Sequence, residues 1–254
     1  MALFRKKETV TTPKIHMAGV SKTFGKKRVL HKMDLDVYPG ESLVIIGGSG
    51  TGKSVTLKCI LGLLTPDSGK IEVDGKDILS LSEKEHERVM EQFGMLFQNA
   101  ALFDSLTVWE NVAFSLIQNQ KINKKEAKKI AMKKLAQVGL KSDVANVYPA
   151  DLSGGMRKRV GLARAIATNP EVIFFDEPTT GLDPFVTAEL YSLIAHLNRK
   201  HGVTVIMVTH DIKNSIEYAT KILSMEHDGD FFGTILEYMK TPAAKRIFGG
   251  DMNA

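Results

Sequence analysis

The run Gly47-Gly48-Ser49-Gly50-Thr51-Gly52-Lys53-Ser54 constrains this chain more than any other stretch. It follows the apolar segment Ser42-Leu43-Val44-Ile45-Ile46 and precedes a stretch with helical spacing, Val55 to Leu64. A GxxxxGKS pattern between a buried strand and a helix is that of a loop that wraps phosphate. Glycines let successive backbone N–H groups converge on phosphate oxygens where a Cβ would clash. The start of the following helix adds its positive end. Lys53 supplies a mobile charge for the β and γ phosphates, and the Ser54 hydroxyl suits Mg²⁺, a hard cation that takes oxygen ligands.

Three further apolar runs end in polar groups. Phe93-Gly94-Met95-Leu96-Phe97 stops at Gln98, Val172-Ile173-Phe174-Phe175 at Asp176-Glu177, and Val203 to Val208 at Thr209-His210-Asp211. Unbroken apolar strands alternating with helices mark a parallel sheet covered on both faces, and ligands of such sheets sit at the carboxyl ends of the strands. Those strand ends deliver what ATP hydrolysis needs. Asp176 is suited to hold Mg²⁺ through water, Glu177 to polarise an attacking water, and His210 to touch the γ-phosphate.

The predicted fold is α/β, a P-loop NTPase core of mainly parallel sheet with an antiparallel β portion and an inserted α-helical subdomain. The core is expected over residues 15–100 and 151–226, the helical subdomain over 101–150, and tails over 1–14 and 227–254. The antiparallel portion falls between Lys14 and Tyr38, where two alternating runs flank Phe24-Gly25-Lys26-Lys27. The subdomain holds two helices, Thr107–Ile117 and Asn123–Val138, the second opened by Asn123 and Glu126 and followed by Gly139. Other helices are expected over Glu83–Gln92, after Ser153, which is suited to cap one, and over Phe185–Lys200. In the C-terminal tail only Ile235–Lys240 has helical character.

Composition narrows the class. With 43% hydrophobic and 25% charged residues the chain reads as soluble and globular. No stretch approaches the ~18–20 apolar residues of a membrane span. The basic N-terminus lacks an apolar run after it, so a cytosolic compartment and no secretory signal are expected. Cys59 is the single cysteine, which excludes an intrachain disulfide and reads as packing on the helix after the glycine loop. Most of the +5 net charge comes from Lys121 to Lys134. That run has helical period and no interleaved aromatics, so it reads as a solvated face and no nucleic-acid partner is expected.

The segment Leu152-Ser153-Gly154-Gly155-Met156, taken in order with the glycine loop, Gln98, Glu177, Gly181-Leu182-Asp183 and His210, resembles the nucleotide-binding subunit of ABC transporters from about Ile15 to Met225. The resemblance implies an ATPase with ATP and Mg²⁺ as cofactors. It also implies head-to-tail pairing with a second copy, in which Ser153, Gly154 and Gly155 of one chain cover the ATP held by Gly47 to Ser54 of the other. Phe24 then matches the aromatic residue that stacks on adenine. Gln98 senses Mg²⁺ and the attacking water, joining Ser54 and Asp176 around the metal, and Asp183 helps connect the two sites. Two positions depart from the family pattern. Met156 replaces a glutamine donor in the signature, and Val55, counted with the nucleotide site, replaces a hydroxyl residue often found after Ser54.

Residues Ala101 to Val112, with Leu152 to Val160, resemble more narrowly the ATPase subunit of the bacterial Mla system, which moves phospholipid between inner and outer membranes. That likeness implies an integral membrane permease, an MCE substrate-binding protein and a STAS-domain protein as partners, and a place on the cytoplasmic face of the inner membrane. In ABC ATPases the segment after Gln98, here with Phe103 and Leu106, receives the permease's coupling helix. A small-solute importer subunit is the alternative reading, and a non-transport ABC scaffold a third.

Overall fold

The computed structural model describes residues 12–226 and 229–248; the other positions of the two expected tails lie outside the described residues. The chain opens with β1 (Ile15–Phe24), β2 (Lys27–Val37) and β3 (Ser42–Gly47), then α1 (Lys53–Ile60). Strands β4 (Ser68–Val73) and β5 (Lys76–Asp77), helix α2 (Glu83–Met90) and strand β6 (Phe93–Leu96) follow. Next come α3 (Val108–Gln118), α4 (Lys124–Gln137), α5 (Gly154–Ala165), β7 (Val172–Asp176) and α6 (Pro184–His201). The order ends with β8 (Thr204–Val208), α7 (Ile212–Ser215), β9 (Lys221–Met225), β10 (Phe231–Thr234), α8 (Ile235–Tyr238) and α9 (Pro242–Phe248).

Two sheets form. The antiparallel one has order β2-β1-β4-β5. The other has order β10-β9-β3-β8-β7-β6, parallel from β9 to β6 with β10 antiparallel on its edge. Alternate residues of its central strands enter different cores. Val44, Ile46, Ile173, Phe175, Val205 and Met207 meet α3, α4, α5 and α6. Leu43, Ile45, Val172, Phe174, Ile206 and Val208 meet β1, β2 and α1. Burial on both faces is why these strands read as continuous apolar runs, and each fully buried large side chain contributes about 1.5–3 kcal/mol.

Local chemistry sets the helix ends. Asn123 accepts from the Glu126 N–H at 3.0 Å to start α4. Thr107 and Glu110 bond reciprocally at the start of α3, the Glu110 carboxylate accepting from the Thr107 N–H at 3.0 Å. Helix α1 is shorter than the expected run to Leu64, because Gly62 takes a left-handed φ of 66° just past the Leu61 cap.

Lys14, assigned by sequence to the end of a tail, is instead 2% exposed. It donates to Asp74, Gln92 and Glu171, each at 2.7 Å, and pins the start of β1 to both sheets. The described part of the C-terminal segment adds β10 to the sheet and buries Tyr238 and Ala244. Helix α5 packs on α3 and α4 as well as on β6, so the helical layer gains a third helix beyond residue 150.

Candidate functional site

The order β3-β8-β7-β6 decides where the polar groups meet. All four strands run the same way, so the loops at their carboxyl ends share one edge of the sheet. The glycine loop leaves β3, His210 follows β8, Asp176 ends β7 with Glu177 after it, and Gln98 follows β6.

The glycine loop has the backbone its sequence calls for. Gly50 and Gly52 have φ of 74° and 113°. A Cβ on Gly47 would stand 2.3 Å from the Met225 carbonyl oxygen. Lys53 Nζ donates to the carbonyls of Gly47 and Gly48, both at 2.8 Å, which leaves one of its three donors for a phosphate oxygen. Ser49 and Thr51 lie between these glycines, and Thr51 Oγ1 donates to the Gly48 carbonyl at 3.0 Å. Ser54 is exposed and Val55 half-buried at the first turn of α1. Phe24, 48% exposed, caps the β1–β2 turn. The same turn brings Lys27 Nζ to 3.4 Å from where a Gly50 Cβ would sit, and the Phe24 ring has Lys22 Nζ 5.7 Å from its centroid.

Glu177 is held tightly. Its φ is +48°, a conformation costing a non-glycine residue of order 1–3 kcal/mol, and its N–H donates to the Val208 carbonyl at 2.8 Å. Oε2 accepts from Thr180 Oγ1 at 2.9 Å and bonds His210 Nδ1 at 2.8 Å. Among the described residues Oε1 has no hydrogen-bond partner. Burial pushes the neighbouring Asp176 carboxyl up, and the Glu177 charge adds to this, while Lys58, Lys53 and Lys158 pull it back down. Among the described residues no cluster of three His, Cys, Asp or Glu could cage a metal. One hydroxyl, Ser54, and one carboxylate, Asp176, nevertheless suit Mg²⁺, which takes few protein ligands and completes its shell with phosphate and water.

Ser153 and Asp183 each cap a helix. Ser153 Oγ accepts from the Met156 N–H at 3.2 Å and caps α5. Asp183 accepts from the Val186 N–H at 3.0 Å and caps α6. The two caps touch each other: a Cβ on Gly155 would come 2.7 Å from Val186 Cγ1, and one on Gly154 3.8 Å from Leu182 Cδ2. Ser153 and Gly154 are exposed, so this helix N-terminus is open to a ligand from outside.

Sequence reasoning missed the residues that pin the loop after Gln98, which is itself exposed. Lys158 donates to the Gln98 carbonyl. Arg164 donates to those of Ala100 and Ala101, both at 2.7 Å. Buried Asn111 accepts from the Phe103 N–H at 2.8 Å and donates to the carbonyls of Phe103 and Leu106, both at 3.0 Å. The signal available was a polar residue on an apolar helix face, Asn111 among Trp109, Val112 and Ala113. Beside this loop runs a groove of about 940 Å³, with Met95, Phe97, Phe103 and Phe114 among its lining. Phe103 is 42% exposed and its ring lies 4.5 Å from that of Phe114; Leu106 is half-buried and does not line the groove.

Residues 30–180 match the family described as ABC transporter, and the chain belongs to that family. The relatives and solved structures it resembles are ATP-binding proteins and cassettes of such transporters. It is 45% identical over 198 residues to the probable ribonucleotide transport ATP-binding protein mkl of Mycobacterium leprae, covering 78% of this chain and 57% of that relative. The chain thus spans little more than half the length of that protein. It is 42% identical over 213 residues to the glutamine transport ATP-binding protein GlnQ of Escherichia coli, covering 84% of this chain and 87% of GlnQ. The dimeric, ADP- and Pi-bound ATP-binding cassette MJ0796 superposes with a TM-score of 0.77 at 32% identity, over 86% of this chain and 98% of that one. The cbiO1 component of the cbiONQ ABC transporter complex from Clostridium perfringens gives 0.81 at 27%, over 95% and 96%.

Proposed function

We propose that two copies of this chain, paired head to tail, hydrolyse ATP at two shared sites and so drive a membrane transporter of phospholipid. The observation that carries the hydrolytic part is the convergence of the glycine loop, Asp176, Glu177, His210 and Gln98 on one sheet edge, with Glu177 Oε1 left free. Gly47 to Ser54, with Lys53, hold the phosphates, and Phe24 stacks on the adenine. Bound Mg²⁺ neutralises charge on the β and γ phosphates, and Ser54, Asp176 and Gln98 are the residues that would hold it. Glu177 Oε1 takes a proton from a water. The water oxygen bonds to the γ-phosphorus as its bond to the β–γ bridging oxygen breaks, and ADP leaves with the electron pair. His210 bonds Glu177 through Nδ1, so it reaches a γ-phosphate oxygen as a donor through Nε2 only when both ring nitrogens carry protons.

The α5 N-terminus at Ser153, Gly154 and Gly155 has its first two residues exposed and would suit an anion, which supports a second copy supplying the phosphate. Asp183, in contact with that signature through α6, joins the two halves. The dimeric form of the MJ0796 cassette supports the pairing. ATPase activity should therefore rise more than linearly with concentration; strictly linear activity in dilute protein would count against shared sites.

The phospholipid reading rests on the likeness of residues 101–112 and 152–160 to Mla ATPases. It brings in a permease seated in the groove at Phe103, an MCE protein, a STAS-domain protein and the cytoplasmic face of the inner membrane. No described helix is long and apolar enough to cross a membrane. A small-solute importer is the second reading, favoured by the near full-length match to GlnQ. Purifying the complex from native membranes decides between them. Phospholipid in the purified permease complex supports the first, and a soluble amino-acid-binding partner the second.

A further inference from the structure

The helix that starts at Ser153 carries a lysine on its buried face. Lys158 is 6% exposed, and its Nζ donates to the backbone carbonyl of Gln98 and, at 3.4 Å, to that of Glu177. The last paired residues of β6 and β7 are Leu96 and Phe175, so Gln98 and Glu177 stand two steps beyond them on each strand. The lysine thus bridges two carbonyls at the point where the paired ladder has ended. A buried ammonium is costly unless acceptors surround it. Burial pushes this one down, and the charges of Glu177 and Asp176 oppose that.

The helix is seated on the same loop a turn further on. A Cβ at Gly161 would stand 2.6 Å from Leu96 Cδ1 and 3.1 Å from Ala100 Cβ, and Arg164 holds the carbonyls of Ala100 and Ala101. Helix and loop are therefore fitted together as one body.

We propose that Lys158 is a positioning residue for hydrolysis: it locks the Gln98 loop and the Glu177 backbone to the helix that begins at Ser153. The placement of the base in one chain then follows the placement of that chain's own signature, which grips the partner copy's ATP. This rests on the reading of Glu177 as the base.

The test uses the full chain with Mg-ATP. Lys158→Met keeps the buried stem and removes both bonds; Lys158→Gln keeps a neutral donor. Expected for Lys158→Met are ATP affinity and KM within about twofold of wild type and kcat lowered about 10- to 100-fold, the scale of a misplacement near 1 Å. Lys158→Gln should recover at least about threefold of that loss. In a Glu177→Gln background, Lys158→Met should cause no further loss, because it acts through the missing base. Wild-type kcat in Lys158→Met overturns the proposal. So does a kcat loss matched by lost affinity, or one that adds in full to that of Glu177→Gln. If Lys158→Met does not fold, Lys158→Gln decides: lowered kcat with intact affinity supports the proposal and wild-type kcat overturns it. Wild-type turnover by Glu177→Gln alone overturns the underlying reading of the base, a result separate from the effect of either Lys158 variant.

Discussion

Replacing Lys53 by alanine removes the one side-chain cation inside the glycine loop. In the structure its ammonium spends two donors on the Gly47 and Gly48 carbonyls, at 2.8 Å each, and has a third for a phosphate oxygen. A hydrogen bond to a charged partner contributes about 1.5–3 kcal/mol, and the longer-range attraction to a second phosphate at about 4 Å adds about 1 kcal/mol in a wet site. The total of about 2.5–4 kcal/mol corresponds to binding ~60- to ~700-fold weaker, at about 1.4 kcal/mol per decade. Lys53→Arg should not restore affinity, since a planar guanidinium does not replace a compact ammonium between two carbonyls. Titration with a fluorescent ATP analogue in the presence of Mg²⁺ measures the loss directly. A dissociation constant within about twofold of wild type in the alanine variant would refute the assignment of this loop to the triphosphate.

Phe103→Ala should weaken the complex with the permease more than about fivefold and leave ATP affinity unchanged, because Phe103 lines the aromatic groove and no phosphate motif; an undiminished complex in a pull-down would contradict the groove's role. Cys59 is fully buried and burial pushes its thiol up to about 11, so iodoacetamide at pH 8 should label it only after denaturation. Rapid labelling of the folded chain would contradict that burial. Gly94→Ala places a Cβ 2.3 Å from the Ala165 carbonyl oxygen where α5 crosses β6, and should cost about 1–3 kcal/mol in a denaturant titration. An unchanged midpoint would show that the contact can relax.

The legible parts of the fold are those with a local cause. Strands β3, β7 and β8 are buried on both faces and so carry unbroken apolar runs, and the residues ending these runs mark the shared carboxyl edge of the sheet. Helix caps such as Asn123 and Ser153 were legible for the same reason, since the cap and the N–H that donates to it lie three residues apart. Lys14 was not, because its acceptors Asp74, Gln92 and Glu171 lie 60, 78 and 157 residues away. Strand β10 was not either: Phe231-Phe232-Gly233-Thr234 is short, and only pairing with β9 makes it a strand. In the site, the strand-end residues were found from sequence but their mutual bonds were not. Nothing in the sequence of Thr180, His210 and Glu177 shows that two of them share one carboxylate oxygen. Lys158 lies on the face of α5 that carries Gly161, Leu162 and Ala165, a visible clue to burial. Its partners are backbone carbonyls, which no side-chain pattern discloses.

Glu177→Gln tests the central claim most directly. The amide keeps the size of the side chain and the contacts of its oxygen with Thr180, and loses the ability to accept a proton from water. Loss of a general base costs on the order of 10² to 10⁴ in rate. Size-exclusion chromatography with Mg-ATP, run beside a phosphate-release assay, should show the variant binding ATP, eluting as a dimer and turning over at least about 100-fold more slowly than wild type. Turnover at the wild-type rate, or failure to bind ATP, would contradict the assignment of Glu177 as the base of a shared hydrolytic site.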